Sequence, residues 1–181
     1  MVESLTGQEG THTVEARHHE DAPVIRVSAG SGSGRTRLSA FDAALRSAGV
    51  ANFNLIRLSS VIPPGAEVRE VEAVDQLVGR HGDRLFCVYA SAHAELPFHQ
   101  AWAGVAWALA DDGSGAGLFV EHEGPSEDQV SHDLTASLED LIAGRGGGYA
   151  EAGRVVTSVT CDTEPVCAVV VAAYLAQGWT A

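Results

Sequence analysis

A chain of 181 residues with 45% hydrophobic and 19% charged residues fits one globular domain, long enough to bury a core without disulfide or metal staples. Its formal charge of −13 repels phosphate backbones and anionic membranes, which excludes nucleic acid and membrane as expected partners and favours cationic small molecules. All 11 basic residues are arginine, so there is no lysine to hold pyridoxal phosphate or to serve a Walker-type nucleotide site.

Residues 1–22 are polar and lack periodicity, and are expected to be a loose extension ahead of a single domain over 23–181. The cluster Arg17, His18, His19 and Glu20 has metal-ligand chemistry but reads as part of a solvated tail. The chain opens without a basic stretch followed by an apolar one, and its longest apolar run, 166–176, is too short to span a bilayer; a cytoplasmic location is expected. Alternation over 23–29 (PVIRVSA) predicts a strand, and Gly30, Gly32 and Gly34 read as a flexible link. Arg35 stands where a dinucleotide fingerprint needs its third glycine.

Leu38, Phe41, Leu45 and Ala48 share one face of a predicted helix over 36–48, which Gly49 ends. Nearly every position over 53–62 is apolar, the pattern of a strand covered on both faces, and Pro63-Pro64-Gly65 stops it. Strands are predicted over 85–92 and 117–122, while 101–110 suits either a strand or a helix. Pro125 and Ser126 open a second helix with Glu127 and Asp128 in its first turn, a stripe of Val130, Leu134, Leu138 and Leu141, and Gly144 to close it. Valine-rich runs over 155–161 and 166–175 complete an α+β sandwich. Cys87, Cys161 and Cys167 have no zinc or disulfide spacing and read as buried thiols; His93, His99, His122 and His132 show no ligand spacing, so no metal is expected.

Three stretches carry the chemistry: LSAFDAALRSAG over 38–49, NFNLIRLSSVIPP over 52–64 and GLFVEHEG over 117–124. In order and separation they resemble the core motifs of the pyruvoyl-dependent arginine decarboxylases. The resemblance implies a four-layer αββα sandwich of mainly antiparallel sheets, assembled as a homotrimer or hexamer of cleaved protomers with sites between neighbouring subunits. It also implies that the chain cuts itself between Ser59 and Ser60, and that Ser60 becomes a pyruvoyl group, with neither pyridoxal phosphate nor metal.

A Ser-Ser pair alone is an ordinary polar turn at a strand end; the resemblance turns it into a cleavage site. At a strained junction the Ser60 hydroxyl would attack the Ser59 carbonyl, converting peptide to ester. The flanking apolar run and Pro63-Pro64 would hold that junction on both sides. Asn54 is carried over as a polar residue near the processing site. Glu121 is carried over as the acid that protonates the decarboxylated carbon, so Glu121→Gln would spare cleavage and slow turnover. Glu123 is expected to face away from Glu121. Asp42 is the expected anchor for the substrate guanidinium, with Leu45 and Ala51 lining the same pocket.

Ala51 stands where the family tends to have glycine, and His122 replaces a family aromatic. Two other readings therefore stay open: a decarboxylase of another amino acid, with its pocket altered around Ala51 and His122, or an unprocessed, non-enzymatic oligomeric homologue.

Overall fold

The computed structural model describes residues 23–179 except 75, 76 and 78. The extension over 1–22, with its Arg17-His18-His19-Glu20 cluster, lies outside the described residues. The first sheet has 5 strands in the order β2 (Asn54–Arg57), β5 (Arg84–Ala94), β9 (Val166–Gln177), β1 (Val24–Ser33) and β4 (Glu67–Glu70). The second has 4, in the order β3 (Val61–Ile62), β7 (Gly117–Gly124), β6 (Gln100–Ala110) and β8 (Tyr149–Thr160). The strand pairs are antiparallel apart from β1 with β4 and β2 with β5.

Helix α1 (Arg37–Ser47) covers the outer face of the first sheet and α2 (Glu127–Gly144) that of the second, which gives the expected αββα layering. The alternation of side chains makes this visible in single strands. In β9, Ala168, Val170 and Ala172 enter the core between the sheets while Cys167, Val169 and Val171 pack under α1. In β6, Ala101, Ala103, Val105 and Trp107 point between the sheets and Ala106 and Ala108 toward α2. Both parities are apolar because both faces are covered, and this settles 101–110 as a strand.

The glycines after residue 29 do not form a flexible link. Gly30 and Gly32 continue β1, and α1 lies directly on them: a Cβ on Gly30 would stand 2.3 Å from the Ala44 carbonyl oxygen. The closest approach runs along Ala40, Ala44 and Ala48, so Leu38, two residues and some 200° around the helix from Ala40, turns outward and is 76% exposed. Leu45 and the partly buried Phe41 do join the helix–sheet core as expected. The Ser28 hydroxyl donates to the Ala48 carbonyl at 2.9 Å, tying strand to helix end, and Gly49 follows with φ +84°. Thr36 caps the start reciprocally with Ser39. In α2, Ser126 caps the N-terminus, and Val130, Leu134 and Leu138 are buried; Leu141, in the last turn, remains partly exposed.

The largest departure from expectation lies over 53–62. This is not one covered strand but two short edge strands in different sheets, β2 and β3, with Asn54, Ile56 and Val61 exposed. Apolar content could not reveal the break, because the partners that divide it, β5 and β7, are distant in sequence.

Candidate active site

The chain passes from one sheet to the other within two residues. Leu58 is still tied to the first sheet, its amide donating to the Cys87 carbonyl at 2.9 Å, whereas the Ser60 carbonyl accepts the Phe119 amide of β7 at 2.8 Å. Ser59 is the only residue between these anchors. Ser60 adopts φ +67°, a left-handed conformation that costs a residue with a Cβ about 1–2 kcal/mol. Immediately downstream, Pro64 and Gly65 form a tight turn closed by the Ala66 amide on the Pro63 carbonyl at 3.2 Å, with Gly65 at φ +77°. The junction is thus held off its relaxed geometry from both ends.

The twist at Ser60 directs its hydroxyl toward β7, where it donates to Glu121 Oε2 at 2.9 Å and approaches Oε1 at 3.2 Å. The Glu121 side chain is 21% exposed, and the Arg57 guanidinium stands 3.5 Å from Oε1. Arg57 is itself steadied by donating to the Tyr89 carbonyl at 2.8 Å and by lying over the Tyr89 ring, 4.8 Å from its centroid. From β9, Tyr174 donates its hydroxyl to the Val61 carbonyl at 3.0 Å and stacks edge-on against Phe119. Burial, and next the negative charge of Glu121, push the Tyr174 phenol up from its usual value, so it remains a hydrogen-bond donor across physiological pH. A serine hydroxyl on a carboxylate, with an amide N–H on the same serine's carbonyl, equips the site to take a proton from Ser60 and to stabilise charge on its carbonyl.

Of the residues singled out in the sequence, Ser59, Ser60 and Glu121 come together here. Asn54 does not join them: its side-chain amide donates to the Gly82 carbonyl at 2.6 Å, at the far end of β2. Asp42 sits on α1, half-exposed and ion-paired with Arg46 one turn on. Leu45 is buried under the helix, and Ala51 lies at the margin of the same core. Among the described residues, no hydrogen bond or ion pair links Asp42 to Ser60 or Glu121.

Two expectations about β7 need correcting. Side chains two apart on a strand share a face. Glu123 therefore lies on the same side as Glu121 and lines a cavity of about 570 Å³ with Arg37, His93 and Glu95. It is His122 that faces away, with its Nε2 2.7 Å from the Ser137 hydroxyl of α2. The replacement of an aromatic by His122 thus falls outside the pocket around Ser60.

The model of the family described as pyruvoyl-dependent arginine decarboxylase matches residues 24–178, nearly all of the described chain. The chain belongs to the pyruvoyl-dependent arginine decarboxylase family. A pyruvoyl-dependent arginine decarboxylase of Halobacterium salinarum is 40% identical over 154 residues, which cover 84% of this chain and 94% of that one. The enzyme of the same name from Methanocaldococcus jannaschii is 36% identical over 100 residues, covering 55% and 58%. Pyruvoyl-dependent arginine decarboxylase 2 of Archaeoglobus fulgidus is 31% identical over 123 residues, covering 66% and 77%.

Membership makes the protein a carboxy-lyase that works with a pyruvoyl group. Its residues fit such a group: a serine in a left-handed conformation, its hydroxyl on Glu121 and its carbonyl on the Phe119 amide. Among the described residues, no helix is long and apolar enough to cross a membrane. Sequence reading missed Arg57, Tyr89, Tyr174 and the Phe119 amide in this pyruvoyl-dependent decarboxylase. One signal for Arg57 was available, a charge inside an apolar run three residues before Ser60. Tyr174 stood out only as a phenol in a valine-rich strand.

Proposed function

We propose that this enzyme cuts itself between Ser59 and Ser60 and, with the pyruvoyl group that Ser60 becomes, decarboxylates L-arginine to agmatine and carbon dioxide. The observation that carries the reading is the Ser60 hydroxyl on Glu121 at 2.9 Å, at a left-handed residue where the chain changes sheets. Glu121 takes the hydroxyl proton as Ser60 Oγ attacks the Ser59 carbonyl carbon. The Ser59–Ser60 amide bond breaks, its nitrogen gains a proton, and an ester replaces the peptide. Loss of the Ser60 Cα proton then breaks the Cβ–Oγ bond and releases Ser59 as a carboxylate. Charge that builds on the Ser60 carbonyl in this step is met by the Phe119 amide. Hydrolysis of the resulting dehydroalanine by water releases ammonia and leaves the α-keto amide.

A pyruvoyl group supplies a ketone that condenses with the substrate amine and an adjacent amide carbonyl that draws in the electron pair left as carbon dioxide departs. Glu121, no longer occupied by the Ser60 hydroxyl, hands a proton to the substrate α-carbon. Arg57 beside it balances its charge when ionised.

Asp42 takes the substrate guanidinium, with Leu45 and Ala51 beside it. A carboxylate suits that planar cation, and Asp42 is half-exposed. Since no hydrogen bond or ion pair joins Asp42 to Ser60 among the described residues, the reading includes a homotrimer, or a hexamer of paired trimers, in which Asp42 of one subunit faces Ser60 of the next. Asn54 belongs to the same reading as a support for processing, through its bond to Gly82. A charge of −13 favours a cationic substrate and disfavours nucleic-acid and anionic-membrane partners, and the same reading places the enzyme in the cytoplasm. Carbon dioxide release measured across a panel of amino acids tests the substrate: arginine should exceed ornithine, lysine and histidine, and equal or better release from another amino acid would replace arginine.

A further inference from the structure

The geometry points to Tyr174 as a positioning residue that holds the cut chain end in place by clamping the Val61 carbonyl from the opposite sheet. This rests on the reading of cleavage between Ser59 and Ser60. Before the cut, the segment is anchored on both sides, by Leu58 to Cys87 in the first sheet and by Ser60 to Phe119 in the second. Afterwards, residue 60 begins a new chain, and its upstream anchor is gone. What remains is β3, two residues long and at the edge of its sheet. Chain ends held by so short a ladder fray.

The register of β3 shows why an extra tie is needed. Ser60 and Phe119 form a hydrogen-bonded pair, so the next pair, Val61 with Leu118, is a non-bonded one, and the Val61 carbonyl points away from β7. Among the described residues, β3 has no neighbouring strand on that side. The Tyr174 hydroxyl, reaching across from β9, fills the gap at 3.0 Å. Its ring is fixed edge-on against Phe119, the residue whose amide holds the Ser60 carbonyl, at a centroid distance of 6.0 Å. Phe119 through its amide and Tyr174 through its hydroxyl therefore hold the successive carbonyls of Ser60 and Val61.

Tyr174→Phe keeps the ring and removes only the donor. Fragment formation should remain within about two-fold of wild type. In the cut protein, amide hydrogen exchange of the peptide over 60–66 should quicken about five-fold, the effect of losing one neutral hydrogen bond. kcat should fall while KM changes little. In the uncut Ser60→Ala background, the same substitution should alter exchange by less than about two-fold, because the upstream anchor persists. Unchanged exchange in cut Tyr174→Phe, or an equal rise in the uncut pair, overturns the assignment. Should the variant fold poorly, the wild type alone decides: exchange over 60–66 must stay close to that of Ser60→Ala, and much faster exchange overturns the clamp. Wild-type protein that remains one chain overturns the cleavage reading, whereas a cut wild type with an inert Tyr174→Phe overturns only the role of Tyr174.

Discussion

Ser60 donates its hydroxyl to Glu121 at 2.9 Å while its own backbone sits at φ +67°, so the residue under strain is also the one whose nucleophile meets a carboxylate. These features are coupled by β7, which supplies the carboxylate at Glu121 and, two residues earlier, the amide that holds the Ser60 carbonyl. Under the proposed self-cleavage, this contact gives Glu121 a task before turnover begins.

Glu121→Gln should therefore slow cleavage as well as decarboxylation, where motif resemblance alone assigns it only the second. Loss of a general base costs about 10²–10⁴-fold. A time course of fragment formation on denaturing gels checks this, and cleavage at the wild-type rate would confine Glu121 to turnover.

Asp42→Asn should leave cleavage intact and raise KM for arginine about 10- to 100-fold, the worth of a hydrogen bond to a charged group. Its ion pair with Arg46 is exposed and spaced i, i+4 on the helix, so thermal stability should hardly change. Steady-state kinetics alongside a melting curve separates the two effects. An unaltered KM would remove Asp42 from the substrate site.

His93 is held below the usual imidazole value, first by burial and next by the Arg37 guanidinium, with Glu123 and Glu95 opposing in part. Below about pH 6.5 the unfolded chain then binds a proton more readily than the folded one. This contribution is intact above that pH, is lost as the pH falls toward the lower folded value, and levels off beneath it. Urea denaturation at about pH 7.5 and about pH 5.5 should show a smaller loss for His93→Gln than for wild type. Equal losses would contradict the assignment.

Burial pushes the Cys87 thiol up to about 12 and the Cys167 thiol up to about 11, and Cys161 is buried too. Thiolate is the reactive form. All three should resist iodoacetamide at about pH 8 in the folded protein and react together in denaturant. Selective labelling of Cys87 in the native state would show that it is accessible.

Helix α2 was legible from Ser126 and its apolar stripe, and helix α1 from Phe41, Leu45 and Ala48 and the glycine that ends it, because these are local signals; the cap at Thr36 and the outward turn of Leu38 were not read. The core strands β5, β6, β7 and β9 were legible as apolar runs, although β6 needed its two covered faces to be told from a helix. The division of 53–62 was hidden, since what separates β2 from β3 is a pair of long-range bonds, Leu58 to Cys87 and Ser60 to Phe119. Gly30 and Gly32 looked like a link because nothing nearby reveals that a helix will rest on them. At the site, Ser60 and Glu121 were legible through motif resemblance. Arg57 and Tyr174 were not, because their meaning comes from contacts with Glu121 and Val61 across the sandwich. Asp42 lies in the expected helix, yet among the described residues its ion pair is with Arg46 and no hydrogen bond or ion pair links it to Ser60.

Intact mass measurement of the purified protein beside Ser60→Ala addresses self-cleavage most directly. The wild type should yield two fragments, 1–59 and 60–181, the larger with a blocked N-terminus carrying a keto group, and Ser60→Ala a single chain. A wild-type protein of one unbroken mass, with no reactive carbonyl, would contradict the proposed origin of the electrophile.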